Sequence, residues 1–397
     1  MTAVLPDFPM PREHPLDPPP QYRALSAERP VFQVRTPRGD TAWVVTRHED
    51  VRAVLTDRAF SSDPRTPGFP TYVTGDVPPP QGFFMQADPP DHGRLRRTVT
   101  REFLINQMEA LRPTMRRILD GLVDRMTADD RTSGDLVREF ALPMAAMTIC
   151  EILGVPFEDH VLFVSLTDTV LDRSSTPEQA VQAAGELMGY FDRLVTAKEK
   201  EPSEDLFGRM VARSADGGLT HEELVGMAAL LLLGGYDTMA QIIGIGTVTL
   251  FEHPDQLEAL RRDDTLLPGA VEEMLRYLSI NHAGLPRGVT EDVVVGGQQI
   301  RAGDGVLVML NAANRDEDVF EEADRFDIRR VNNSKHLAFG HGFHKCVGAT
   351  LARVELTEVF GGLFRRLPGL RPTRSLDELP FRHDMVLYGV RELPVTW

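Results

Sequence analysis

Phe339-Gly340-His341-Gly342-Phe343-His344-Lys345-Cys346-Val347-Gly348 is the stretch on which the reading of this 397-residue chain turns. Gly340 and Gly342 supply the positive-φ freedom that a tight, bulged loop needs, so that backbone amides can converge on one point. Cys346 is that point. A helical pattern starts directly after it, from about Val347 to Leu367, with Leu351, Val354, Leu356, Val359, Phe360 and Leu363 supplying an apolar face. A cysteine at a helix N-terminus meets free N–H groups and the positive end of the dipole, which favour thiolate over thiol. Two other readings of these residues stay open. One is an inert buried thiol, since free cysteine is among the most buried residue types. The other is a zinc ligand in company with His341 and His344, although the second cysteine, Cys150, lies inside the apolar run Met144 to Leu153.

Outward from the loop, composition narrows the function classes. An apolar fraction of 42% is ample for a substantial core. With 43 Lys plus Arg against 59 Asp plus Glu, the net charge of -16 repels nucleic acid and anionic lipid, and a small-molecule enzyme fits better. Two cysteines make no disulfide framework, which implies a reducing compartment. Met1 to Tyr22 is proline-rich and lacks the apolar core of a signal peptide or anchor, so the expected location is the cytoplasm, away from any membrane.

Val31 to Val34 and Ala42 to Thr46, around Arg38-Gly39-Asp40, read as a β-hairpin. Apolar residues then recur at helical spacing from His92 to about Lys200, in Leu104 to Met126, Phe140 to Leu153 and Ala180 to Leu194. Leu224 to Leu250 is the longest apolar stretch. A membrane span is excluded by Asp237 at its midpoint, where a charge costs about 2.5–3.5 kcal/mol, and by Gln241, so a core helix is expected. Val293 to Val295 and Gln298 to Ile300 flank the turn pair Gly296-Gly297. The loops expected to move are Asp63 to Gln86 and Ser174 to Glu178.

Phe-Gly-x-Gly-x-His-x-Cys-x-Gly, as quoted above, resembles the haem-thiolate signature of cytochromes P450 and is complete here. The resemblance implies haem b as cofactor and Cys346 as the iron ligand, with Phe339, Gly340, His344 and Gly348 in the loop that holds it; such a thiolate pushes electron density to the iron and favours O–O cleavage. Gly234-Gly235-Tyr236-Asp237-Thr238 resembles the family's oxygen-activation motif. Mid-helix glycines cost about 1 kcal/mol each against alanine. The resemblance implies that Gly234 and Gly235 leave space over the iron, that Thr238 bonds back to the Gly234 carbonyl, and that Asp237 and Thr238 are catalytic, relaying protons. Tyr236 and Met239 depart from the commonest residues there, which implies an unusual pocket shape. Glu273-Met274-Leu275-Arg276, with Arg325, resembles the family's buried ionic triad. His92 and Arg96, Arg287, and His344 fall at the positions that hold the haem propionates, for which arginine is the preferred donor.

The resemblance covers nearly the whole chain and implies a single haem domain over 1–397, mainly α with a smaller β-rich region. It implies a monooxygenase of the soluble actinobacterial type, acting with O₂ on a secondary metabolite, polyketide or peptide-derived, by hydroxylation or epoxidation. Oxidative coupling without oxygen insertion is the alternative; a haem sensor without turnover is a third class, against which Asp237-Thr238 argues. Because the haem unit uses the whole length, electrons are expected from a separate ferredoxin and ferredoxin reductase, with Lys345, Arg353, Arg94 and Arg97 as a basic docking patch on a monomer. Position relative to the motifs puts Phe84, Leu230, Leu233, Ala283 and Val386 against the substrate, with Phe83 and Leu387 beside them. Ser279, Asn281 and His282 are polar in an otherwise apolar stretch and suggest a substrate with hydrogen-bonding groups.

Overall fold

The computed structural model describes residues 5–71, 79–171, 175–201, 203–214, 218–383 and 385–397. The helices that build the region of interest are α1 (Asp91–Thr100), α2 (Arg112–Met126), α3 (Leu142–Leu153), α4 (Pro177–Lys200), α5 (His221–Glu252), α6 (Leu267–Leu278) and α7 (Ala349–Arg366). Thr220 starts α5 with a reciprocal cap: its hydroxyl accepts from the Glu223 N–H, and the Glu223 carboxylate accepts from the Thr220 N–H. The helix stops at His253, immediately before Pro254. It is apolar and long enough to cross a membrane, but 78% of its apolar window is buried inside the protein, packed on α3 and α4. This helix is the axis of the largest core cluster, and α7 lies against α2 and α6 on the same core.

The strands are β1 (Val31–Arg35), β2 (Thr41–Val45), β3 (Phe60–Ser61), β4 (Ser133–Asp135), β5 (Leu285–Val289), β6 (Val293–Val295), β7 (Gln298–Ile300), β8 (Gly305–Val308), β9 (Arg371–Pro372) and β10 (Pro394–Thr396). The main sheet has the order β1-β2-β8-β5-β3, with β2 and β8 parallel and the other neighbours antiparallel. Both expected hairpins form, β1/β2 and β6/β7, the second turning at Gly296 and Gly297 with φ of 54° and 78°. The chain is therefore mainly α with a smaller β region. One departure from the expected helical middle is β4, which pairs with the C-terminal β10, Asp135 opposite Pro394, and so carries no local signal. The two loops expected to move include residues 72–78 and residue 174, which lie outside the described residues.

A buried ion set joins α6 to the segment that follows β8. Glu273 and Arg276 are both wholly buried and pair through two bonds of 2.8 Å. The remaining Arg276 donors go to the carbonyls of Asn314, Ala323 and Arg325. The third charged member is Arg330, whose Nε lies 3.2 Å from Glu273. This corrects the expectation for Arg325. Its carbonyl points inward, but its side chain is 60% exposed and pairs with Glu322 at the surface. Removing one partner of a buried pair strands the other charge, whereas an exposed pair contributes little. Arg330→Leu is therefore expected to destabilise by about 3–5 kcal/mol and Arg325→Ala by less than about 1 kcal/mol in urea unfolding; equal effects would reverse the assignment.

Candidate functional site: a thiol loop facing a cluster of cations

The cysteine loop closes on itself through Cys346 N–H to the Phe339 carbonyl at 2.8 Å and Gly340 N–H to the Leu337 carbonyl at 2.8 Å. Gly340 and Gly342 have φ of 69° and 66°, and a Cβ on Gly342 would lie 2.3 Å from the Leu55 carbonyl oxygen. Only glycine fits there. The Cys346 side chain is open to solvent on one side and crowded by protein on the others. Crowding raises its pKa, and the Gly348 N–H, Arg96, Arg353 and Lys345 act in the opposite sense without offsetting it. A coordinated metal cation deprotonates such a thiol outright. Phe339 is covered by the Arg353 guanidinium, 4.6 Å from the ring centre. Arg353 is fixed in turn by Glu272, which also meets His336 at 3.1 Å. Burial opposes ionisation of Glu272, yet the bonds from His336 and Arg353 prevail and hold its carboxyl down at about 2.

Four basic side chains gather nearby from three parts of the fold. His92 and Arg96 are one turn apart on α1, His344 stands in the short turn before Cys346, and Arg287 rises from β5 opposite Val306. The His92 and His344 rings are 4.0 Å apart between centres. Burial, then Arg96, pushes His92 down to about 4; burial, then His92 and Arg287, pushes His344 to about 3. Both imidazoles are neutral at physiological pH and act as hydrogen-bond groups. Arg287 is lowered to about 10, chiefly by burial, and among the described residues its side chain donates to its neighbour, the Pro286 carbonyl. Arg96 donates to the Lys345 carbonyl. Among the described residues neither arginine forms an ion pair, and the nearby Asp88 is turned to Ser61 and the Ser62 N–H.

On α5 the two glycines differ. Gly234 is exposed within an otherwise buried stretch, and a Cβ there would meet nothing within 4 Å. A Cβ on Gly235 would lie 2.7 Å from Ile149 of α3. This corrects the expectation that both leave cofactor space: successive helix residues point about 100° apart, and Gly235 serves close helix packing instead. Thr238 donates to the Gly234 carbonyl at 2.6 Å. Asp237 is fully buried and accepts from Arg382 at 2.6 Å and Gln241 at 2.9 Å, partners that the motif did not disclose.

Leu230, Gly234 and Thr238 are spaced by four and share a face of α5. Phe84 and Ala283 are buried, Leu233 and Val386 half-buried. Of the three polar residues after α6, two are consumed internally. Ser279 sits in the left-handed cap of α6 and accepts from Asn314 at 2.7 Å, and His282 bonds the Met385 carbonyl. Asn281 keeps a buried carbonyl oxygen without a partner among the described residues. The expected basic patch also divides. Arg94 is engaged by Glu223 and Arg353 by Glu272, whereas Arg97 and Lys345 are exposed. A surface groove of about 460 Å³ is lined by Arg96, Arg97, Arg101, Leu104 and Phe343.

A flat dianion with a thiophilic metal at its centre fits this set: a buried and a half-buried guanidinium, neither paired with a carboxylate among the described residues, and two neutral imidazoles suit two carboxylates, the thiol is accessible, and Gly234 leaves room. That is the donor set of a haem-thiolate protein, in which the haem supplies the iron that activates dioxygen. A family model described as Cytochrome P450 matches residues 21–180 and 162–368. Cytochrome P450-SU2 of Streptomyces griseolus is 45% identical over 96% of this chain and 94% of its own. The 20-oxo-5-O-mycaminosyltylactone 23-monooxygenase of Streptomyces fradiae is 40% identical over 98% and 92%. The structure of CYP105P1 in complex with filipin I superposes with a TM-score of 0.94 at 39% identity, covering 99% of both chains. This chain belongs to the cytochrome P450 family and is an oxygen-incorporating oxidoreductase.

Arg287→Ala is expected to speed loss of haem to apomyoglobin by roughly tenfold, the worth of one charge-assisted bond. Arg94→Ala, whose partner is Glu223, should leave that rate unaltered. Equal behaviour of the two would remove Arg287 from the site.

Proposed function

We propose that this chain is a monooxygenase that inserts one oxygen atom, by hydroxylation or epoxidation, into a secondary metabolite of polyketide or peptide-derived type. One observation carries the reading: the turn of α5 that leaves its glycine open, at Gly234, also carries a hydroxyl and a buried acid, Thr238 and Asp237. O–O heterolysis needs protons delivered to one place, which a hydroxyl and an acid on one turn can do and a passive binding site does not require. Haem b would be held by Cys346 at its iron and by His92, Arg96, Arg287 and His344 at its carboxylates, with Gly234 leaving room on α5. Phe339, Gly340 and Gly348 shape the loop around the sulfur. Thr238 orients water toward the reacting oxygen and Asp237 supplies the proton. Phe84, Leu230, Leu233, Ala283 and Val386 exclude water and hold the substrate. Asn281 accepts a hydrogen bond from a substrate hydroxyl or amide. The substrate class is supported by the relative named for a mycaminosyltylactone and the neighbour solved with filipin I.

The protein acts as a cytoplasmic monomer, one haem unit over 1–397, fed by a ferredoxin and its reductase. The ferredoxin docks at the groove of Arg97, Arg101, Leu104 and Phe343, where cations ring a patch of apolar surface suited to an acidic partner.

Polyketide lactones that convert the haem from low to high spin identify candidate substrates. Turnover of such a ligand under ¹⁸O₂ should place one labelled atom in the product; conversion with no label moves the chain to the oxidative-coupling reading. Arg97→Glu with Lys345→Glu should slow first-electron transfer about tenfold at low salt, with the difference shrinking as ionic strength rises. A rate equal to that of the parent protein discards this docking face.

A further inference from the structure

Asp237 is held from the far end of the chain. Arg382 donates to its carboxylate through Nη1 at 2.6 Å and Nη2 at 3.4 Å, and Gln241, one turn along α5, donates at 2.9 Å. Arg382 is itself only 5% exposed, so both charges sit inside protein. The backbone around Arg382 doubles back: its N–H bonds the Gly389 carbonyl at 2.9 Å, Phe381 bridges Val390, and Leu387 bridges Asn281. A Cβ on Gly389 would lie 2.1 Å from the Gln241 amide oxygen, so this hairpin rests directly on the residue that shares the carboxylate. Between the two legs lie Val386 and Leu387, both half-buried.

Stability does not explain a charged tie here. Replacing a buried ion pair by apolar residues of similar volume is often neutral or stabilising, and an apolar contact would join hairpin and helix at lower cost. The pair also occupies the residue next to Thr238, whose hydroxyl is already turned back to the Gly234 carbonyl. Adjacent helix residues diverge by about 100°, so a carboxylate held by Arg382 and Gln241 faces away from its neighbour's hydroxyl.

We propose that Arg382 is a positioning residue that restrains Asp237, and that through it the Val386 turn reports substrate occupancy to the proton relay. The inference rests on the reading of Asp237 as the relay acid. With the pocket empty, the guanidinium keeps the carboxylate turned into the hairpin. A substrate seated on Val386 and Leu387 shifts the strand whose base is Arg382, four residues away. The attraction between the charges weakens with separation, and the carboxylate turns toward Thr238. Protons then reach the reacting oxygen only when there is something to oxidise, which limits the release of peroxide from an empty site.

The test uses prereduced, substrate-free holoenzyme mixed with oxygenated buffer, following the return of the haem to the ferric state and the superoxide released, one electron per haem, which with two protons disproportionates to hydrogen peroxide and O₂. Arg382→Gln is expected to reoxidise about fivefold faster than the parent protein, a shift well inside the range of a single proton-transfer effect. Arg382→Lys should recover most of the parent rate. Arg382→Gln with Asp237→Asn should fall to the parent rate or below, because the leak passes through the acid. A fast rate that survives in the double variant means that the hairpin has merely loosened, and an unchanged rate in Arg382→Gln also overturns the proposal. Thermal unfolding of the same proteins gives a second reading: Asp237→Asn should restore part of the melting temperature lost in Arg382→Gln, and a further drop counts against the pair. If Asp237→Asn alone leaves reoxidation unchanged, the relay reading itself fails. If it slows reoxidation while Arg382→Gln does not speed it, only the positioning role falls.

Discussion

Uncompensated positive charge is the constraint around which this molecule is built. Two guanidiniums, Arg287 buried and Arg96 half-buried, converge from β5 and α1 beside two neutral imidazoles, and no carboxylate among the described residues closes an ion pair with either arginine. Burying such groups is costly, and the chain holds them with elements anchored elsewhere. Arg287 is carried by a strand paired on both sides, to β3 and β8. His92 and Arg96 use the one-turn spacing of α1, and His344 is pinned two residues from the sulfur. A dianionic group bound there would relieve this strain, and its binding would add to the stability of the fold by mass action.

Much of this was legible because the signals are local. A glycine pair, a cysteine and a helix start occupy ten consecutive residues, and the long helix announces itself by its apolar run and by the cap at Thr220. What escaped was decided by contacts across the sequence. Arg325 and Arg330 are five residues apart in an irregular segment with no periodicity to say which side chain turns inward, and the structure gives the burial to Arg330 and leaves Arg325 outside. Gly234 and Gly235 look alike in a motif, and only the position of Ile149 on α3 separates them. Ser279 and His282 read as ligand groups because they are polar in a buried stretch; in place Ser279 accepts from the Asn314 amide and donates to the Arg276 carbonyl, and His282 bonds the Met385 carbonyl. The hold of Arg382 on Asp237 spans 145 residues and left no trace in spacing.

The layers of the molecule also differ in how tightly they are specified. In the ion set on α6 every Arg276 nitrogen meets an acceptor, and the strand carrying Arg287 is paired on both sides. The hairpin of Val386 forms no regular ladder among the described residues; isolated bridges, the bond of His282 to the Met385 carbonyl and the buried pair of Arg382 with Asp237 hold it in place. Local opening is expected to start in such irregular segments sooner than in the paired sheet.

Along α5 an added methyl group would strike Gln81 at Gly226, Ile149 at Gly235 and Phe360 at Gly246, but nothing at Gly234. The helix is thus immovable almost everywhere and open for the width of one residue. Diversification of such a scaffold toward new chemicals can run through side chains such as Leu230 and Leu233 and those of the surrounding turns, while the glycine that keeps the helix open stays as it is. A lineage can therefore change what it oxidises many times over without ever renegotiating how it oxidises.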